Sequence, residues 1–296
     1  MCSSDLAACG VAAQAFPVKP MRLVTAFPAG GPSDLFGRVI AQKLTELLGQ
    51  QVVIDARPGA NGLIAAENVV KSPPDGHTFL LGSATVYLTP IFYRTMPFNL
   101  LTDLAPVTVA VRVPDLLVVH PSVPAQTIKE FIAFAKARKG QVTFASGGNF
   151  PRLIYESFRT AAGIDTLTVP YKGAAPAITE LIGGQVHMTV LDVPVLLPHV
   201  KDGRLRALAA SSRTRVPALP DVPTMAEIGY PGAIADNWYA IALPGATPKE
   251  VVAKLHGALR TLLTTADTRA RFATQNAEVT ANTPEEFSAF MRSEEH

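Results

Sequence analysis

Residues 21–49, MRLVTAFPAGGPSDLFGRVIAQKLTELLG, decide the fold: a short apolar run, a glycine-bearing loop and a periodic segment follow one another without interruption. Residues 21–27 have the apolar density of a buried strand. Phe36, Val39, Ile40, Leu44, Leu47 and Leu48 then recur at helical spacing. Ser33 or Asp34 is available to cap the helix and Gly49 to stop it. The unit is strand, loop, helix, the building block of parallel α/β sheets. In the loop FPAGGPSD (27–34), Gly30 and Gly31 remove the Cβ atoms that would hold a ligand off the backbone. The helix that follows presents unpaired amides and its positive dipole end, where an anion is favoured. A tight turn whose glycines serve only close packing accounts for the same residues equally well. The loop is neither GxGxxG nor GxxxxGK[ST], so nothing here supports a dinucleotide or a nucleoside triphosphate.

Working outward, residues 51–55, 78–82, 107–111 and 116–119 read as further strands, with a helix over 62–71 between the first two. A second series begins at Thr127, which can cap a helix carrying Ile128, Phe131, Ile132 and Ala135. It continues as strand 142–145, helix 153–162, strand 167–169, helix 175–182 and strands 186–191 and 205–210. Strand 238–243 and two or three helices between 248 and 291 close the chain. That tail is expected to return to the first series, so that two strands cross between two Rossmann-like βα lobes and act as a hinge. The expected organisation is α/β, with lobe 1 made of 16–112 plus 239–296 and lobe 2 of 113–238. A single continuous Rossmann domain is the alternative.

At 296 residues and 48% hydrophobic content the chain is long enough for two lobes, each with its own core. A formal charge of +2 arises from 26 basic and 24 acidic residues, with no run of Lys and Arg, which argues against nucleic acid as a partner. Cys2 and Cys9 have no CxxC or Cys/His spacing. His77, His120, His187, His199, His256 and His296 are scattered without metal-ligand spacing, and neither GxSxG nor HExxH occurs. The expectation is a non-enzyme without metal or cofactor. His187 and His199 flank Asp192, which allows an acid/base cluster, or simply one strand residue and one surface-helix residue. Gly183 and Gly184 read as a helix C-cap.

Residues 1–15 are expected to be a residual export signal: a small apolar stretch ends in Ala13-Gln14-Ala15, the pattern signal peptidase reads, and puts the mature start near Phe16. Leu6-Ala7-Ala8-Cys9 also fits a lipobox, which would make Cys9 a lipid-anchored N-terminus. No stretch approaches the ~20 apolar residues that span a bilayer. EEFSAFMRSEEH stops in mid-helix without a Gly or Pro signal, which leads us to expect truncation there.

Further glycine-rich loops follow other strands. ARPGANG (56–62) precedes a helix at the same sheet edge as 27–34, and its Arg57 is either a carboxylate partner or a structural ion-pair residue. In the second series ASGGN (145–149) and VPYKGAAPA (169–177) supply Ser146, Asn149, Tyr171 and Lys172. Facing loops from two lobes make a clamp.

Taken in order, FPAGGPSD, RPGANG, SPPDGHTFLLG, LAPVTV, VPYKGAAPA, LIGGQV, GRLRALA, LPDVPTMAEIGYPG and PEEF resemble the substrate-binding family of tripartite tricarboxylate transporters, the Bug proteins, from about residue 20 to residue 291. The resemblance implies a type II periplasmic binding protein fold of the Venus-flytrap kind, a periplasmic location and delivery to membrane permease subunits. It also implies binding of small mono- or dicarboxylates: citrate-like acids, acidic amino acids, nicotinate or aromatic acids. A monomer is expected. A ligand-presenting receptor for a sensor kinase without transport is one alternative, and a small-acid enzyme on an α/β scaffold another. Carried over by position, the carboxylate grip falls on Ala29, Gly30, Gly31, Ser33 and Asp34, with Gly82, Ser83 and Thr85 facing them. In the second lobe it falls on Ser146, Gly147, Gly148, Lys172, Gly173 and Asp192. Asp34 is favoured as helix cap over ligand contact. One departure stands out: SGGNFPRLIYESF lacks about two residues of the family loop and offers Phe150, Pro151 and Arg152. Phe150 would stack on an aromatic acid and Arg152 pair a second carboxylate, or both are surface substitutions.

Overall fold

The structure is a computed structural model that describes residues 16–93 and 95–293. The export-signal and lipobox residues, and residues 294–296, lie outside the described residues.

Ten strands and eleven α-helices are found among the described residues. In the first lobe β1 (Met21–Thr25) leads to α1 (Pro32–Leu48), β2 (Val52–Ala56) to α2 (Leu63–Val70) and β3 (Thr78–Ser83) to two short helices, α3 (Ala84–Tyr87) and α4 (Thr89–Phe92). β4 (Leu104–Val119) then runs into the second lobe. There α5 (Ile128–Ala137), β5 (Thr143–Ser146), α6 (Asn149–Ala162), β6 (Leu167–Pro170), α7 (Ala174–Ile182), β7 (Met188–Asp192), α8 (Val193–Lys201) and β8 (Arg206–Ala210) follow. β9 (Asp236–Pro244) returns, and α9 (Lys249–Thr264), α10 (Ala266–Ala273), β10 (Glu278–Val279) and α11 (Pro284–Ser293) finish the chain on the first lobe.

The two lobes share one strand. β2, β1, β3 and β9 lie side by side, parallel except for β9, and β9 pairs antiparallel with β4 as far as Pro114↔Asp236. From Asp115 onward β4 changes partners to β7 and β8. β5 and β6 extend that second sheet in parallel. The expected strands 107–111 and 116–119 are therefore one strand. Arg112 and Pro114 broke the apolar run, yet Pro114 stands where the ladder passes from one sheet to the other, the position at which a residue without an N–H is tolerated.

Local chemistry explains the elements that place the site. α1 buries Phe36, Val39, Ile40 and Leu44, and Gly49 at φ +66° closes it by donating its N–H to Thr45 O. Thr127 caps α5 through the Glu130 amide (3.2 Å). α9 lies against α1 and β4, and α11 lies against β4 and brings Phe287 against Trp238 and Tyr87. α6 begins at Asn149, four residues before the expected start. Pro151 lies in its first turn, where a missing amide costs nothing.

Candidate functional site

The crevice between the lobes forms where strands hand over to helices. A cavity of about 30 Å³ at its floor is lined by Pro32 and Ser33 of α1, Thr85 of α3, Gly147 and Pro151 beside and within α6, and Ala174 of α7. Asp192, Asn237 and Tyr239 complete it. Glycines 31, 148 and 173 are the N-caps of α1, α6 and α7, and none of the three helices has a side-chain cap. Three positive helix ends, uncapped by side chains, therefore meet in one space, an arrangement that attracts an anion. Ser33 Oγ at the floor and Asn149 Nδ2 at the start of α6, toward the mouth, are buried without a hydrogen-bond partner among the described residues.

The lobes touch across this space. Phe150 N–H donates to Thr85 Oγ1 at 3.3 Å, and Ser146 Oγ donates to Gly148 O at 3.1 Å within the facing loop. A Cβ built on Gly148 would lie 3.0 Å from Thr85 Oγ1, and one on Gly173, at φ +125°, would lie 3.1 Å from Pro28 Cδ. The glycines let backbone meet backbone from opposite lobes.

A second cavity of about 230 Å³ opens at the mouth, between Phe27, Gly59, Ala60 and Asn61 of one lobe and Ser146, Asn149, Arg152, Tyr171 and Lys172 of the other. Arg152 and Lys172 are exposed and form no ion pair among the described residues. An apolar cavity of about 500 Å³ beside Tyr87, Phe98 and Trp238 is separate. Trp238 points to the opposite face of β9 from Asn237 and Tyr239.

The expected site residues distribute unevenly. Ser33, Ser83, Thr85, Gly147 and Asp192 line the floor cavity, and Ser146, Gly148, Lys172 and Gly173 line the mouth. Ala29 and Gly30 are exposed at the outer edge, and Gly31 is the buried cap of α1. Asp34 is not the N-cap: it stands in the first turn, accepts the Gly30 N–H at 3.1 Å and pairs with Arg38 at 3.0 Å. The Gly30 amide is thus already occupied. Gly82 lines neither cavity, because it lies under the Tyr87 ring, 2.9 Å from a built Cβ. Phe150 is neither a ligand platform nor a surface residue; only 5% exposed, it belongs to the core with Ile154, Tyr155 and Phe158. Arg57 pairs with Asp55 at 3.0 Å, the structural reading. His187 bonds Thr143 and His199 lies in α8, and neither hydrogen-bonds Asp192.

Around the expected Asp192, the floor brings together three residues that sequence reasoning missed: Asp115, Asn237 and Tyr239. Asp115 and Asp192 face each other in the β4–β7 ladder, both buried. Tyr239 Oη and Asn237 Nδ2 (2.8 Å) both donate to Asp192. Burial pushes both carboxyls above the ordinary carboxylate range, and the Asp192 charge beside Asp115 pushes the latter further. Burial and the adjacent Asp192 likewise raise the Tyr239 phenol. The available signal was a lone acid inside the apolar run VAVRVPDLLVV (109–119) and an Asn opening the strand 237–243.

The profile of the tripartite tricarboxylate transporter family receptor matches residues 36–295. Protein BugT of Bordetella pertussis is 36% identical over 288 residues, 96% of this chain and 88% of its own length. Among solved structures, an R. palustris protein with adipate superposes with a TM-score of 0.91 at 34% identity, covering 94% of both chains. MatC from Rhodopseudomonas palustris with bound malate gives 0.89 at 28%, covering 94% of this chain and 97% of its own. The fold is that of periplasmic binding proteins, and no helix among the described residues is long and apolar enough to cross a membrane. The chain belongs to the tripartite tricarboxylate transporter receptor family.

Proposed function

We propose that the chain is an extracytoplasmic receptor that captures a small carboxylate between its lobes and delivers it to the membrane subunits of a tripartite tricarboxylate-type transporter. The observation that carries this reading is the meeting of the glycine-capped N-termini of α1, α6 and α7, with Ser33 Oγ and Asn149 Nδ2 unpartnered beside them. A carboxylate there accepts charge-assisted bonds from groups that water leaves as the lobes close. Arg152 and Lys172 at the mouth favour a second negative group. Relatives solved with adipate and with malate support an acid of this size.

The moving bodies we propose are 16–112 with 239–296 and 113–238, with the boundaries drawn to 114/115 and 235/236 where β4 changes sheets and β9 begins. The hinge is β4 and the segment entering β9. Loading then changes shape, and shape is what a membrane partner reads.

The test is calorimetric titration of the chain with adipate, malate and a monocarboxylate panel, repeated on Gly148→Val. Gly148 has extended φ, so valine adds no backbone strain, but its side chain meets Thr85 only when the lobes touch. Expected are saturable binding by the wild type and a loss of more than about tenfold in the variant, about 1.4 kcal/mol. Equal affinity in both proteins would remove the clamp.

A further inference from the structure

The donors and acceptors at the crevice floor do not balance without an extra proton. Asp192 accepts from Tyr239 Oη and from Asn237 Nδ2. Asp115, opposite it and within side-chain hydrogen-bonding reach, finds no donor for either oxygen and is fully buried. Two ionised carboxylates cannot stand side by side in a dry site, and a protonated Asp115 donating to Asp192 satisfies both. The elements packed here supply no compensating cation. Arg112 and Arg213 act on Asp236, with Glu278 near it, and the charges felt by Asp115 are the negative ones of Asp192 and Asp236. From β9 come Asp236, Asn237 and Tyr239, none of them a cation, and from the end of β8 the Ser211 hydroxyl, which accepts the Asp115 N–H and donates to Ala235 O.

The placement couples this proton to movement. Asp192 and Asp115 belong to the second sheet, Asn237 and Tyr239 to the strand returning into the first, and Asp192 lines the cavity that closing the lobes shrinks. Were the lobes to open, the donors would part from Asp192 and water would enter, which would let both carboxyls ionise. We propose that Asp115 and Asp192 form a one-proton site at the hinge, filled as the lobes close and emptied as they open, so that capture takes up a proton. The proposal rests on the two-lobe receptor reading for its link to capture, and on the fold alone for its link to closure.

The deciding experiment uses the ligand-free chain. Small-angle scattering from about pH 5 to about pH 9 follows its radius of gyration, in the wild type and in Asp115→Asn, whose amide keeps the hydrogen bond without titrating. Expected is a wild type that expands as pH rises and a variant that stays compact across the range. A wild-type radius independent of pH, or a variant that expands with it, overturns the proposal. If Asp115→Asn fails to fold by circular dichroism, the wild-type titration still decides. Calorimetry with adipate in two buffers of different ionisation enthalpy should report uptake of about one proton in the wild type and none in the variant. Expansion with pH in a chain that binds no acid would count against the receptor reading and leave the proton site standing.

Discussion

The mouth and the floor of the crevice carry opposite charge in opposite surroundings. At the mouth Arg152 and Lys172 are exposed and without an ion pair among the described residues, open to exchange with water. At the floor Asp115 and Asp192 are dry and fixed by Tyr239, Asn237 and Ser211. An exposed charge is weak and screened by salt, whereas a buried one is strong and little screened, and an exposed charge at the rim of a cleft still raises the local concentration of an anion. The mouth is thus suited to drawing an anion in and the floor to holding the lobes in register around it.

The largest expected effect breaks the floor. Asp192→Ala leaves the Tyr239 hydroxyl, the Asn237 amide and the Asp115 carboxyl without their acceptor in a dry site. Each orphaned buried group costs about 1–3 kcal/mol, and we expect a net loss of about 3 kcal/mol. Urea unfolding followed by fluorescence of Trp238, the one tryptophan in the chain, measures it. A loss below about 1 kcal/mol would mean that water reaches the floor and that the contrast with the mouth is false.

A smaller effect distinguishes the floor from ordinary surface acids by its sign. For Asp115 and Asp192 the folded pKa lies above the unfolded value of 3.8. Their contribution is complete below that value and is lost as pH rises through the folded pKa, with a slope of at most about 1.4 kcal/mol per pH unit for each proton. Asp75 has the reverse shift, lowered by Lys19 and the His77 amide against its burial, so its contribution is lost as pH falls. The melting temperature should fall from mildly acid to alkaline pH in the wild type and stay flatter in Asp115→Asn. Parallel curves would show that the floor carries no proton.

The same contrast explains what the sequence discloses. Glycine-rich turns after strands advertise themselves because few residues reach their φ values or tolerate their contacts, so the loops 27–34, 145–149 and 169–177 were legible. The helix periodicity of α1 and α5 was equally plain. Features that depend on a partner distant in the chain were not. Asp115 meets Asp192 only through the β4–β7 register, and Tyr239 reaches Asp192 only after β9 has crossed back between the lobes. Phe150 stands in the stretch assigned by resemblance to the ligand loop, whereas α6 already begins at Asn149, accommodates Pro151 in its first turn and buries Phe150.

The mouth gives the smallest effect, because exposed charges are worth little. Replacing Arg152 or Lys172 by alanine should weaken adipate binding about twofold to fivefold at low salt, and less as salt rises, while leaving unfolding unchanged. Calorimetry at two salt concentrations separates this from the floor, whose buried groups salt barely screens. A salt-independent loss of more than about tenfold would place a desolvated ion pair at the mouth, worth far more than an exposed one, and the difference between the two ends of the crevice would then be one of sign alone.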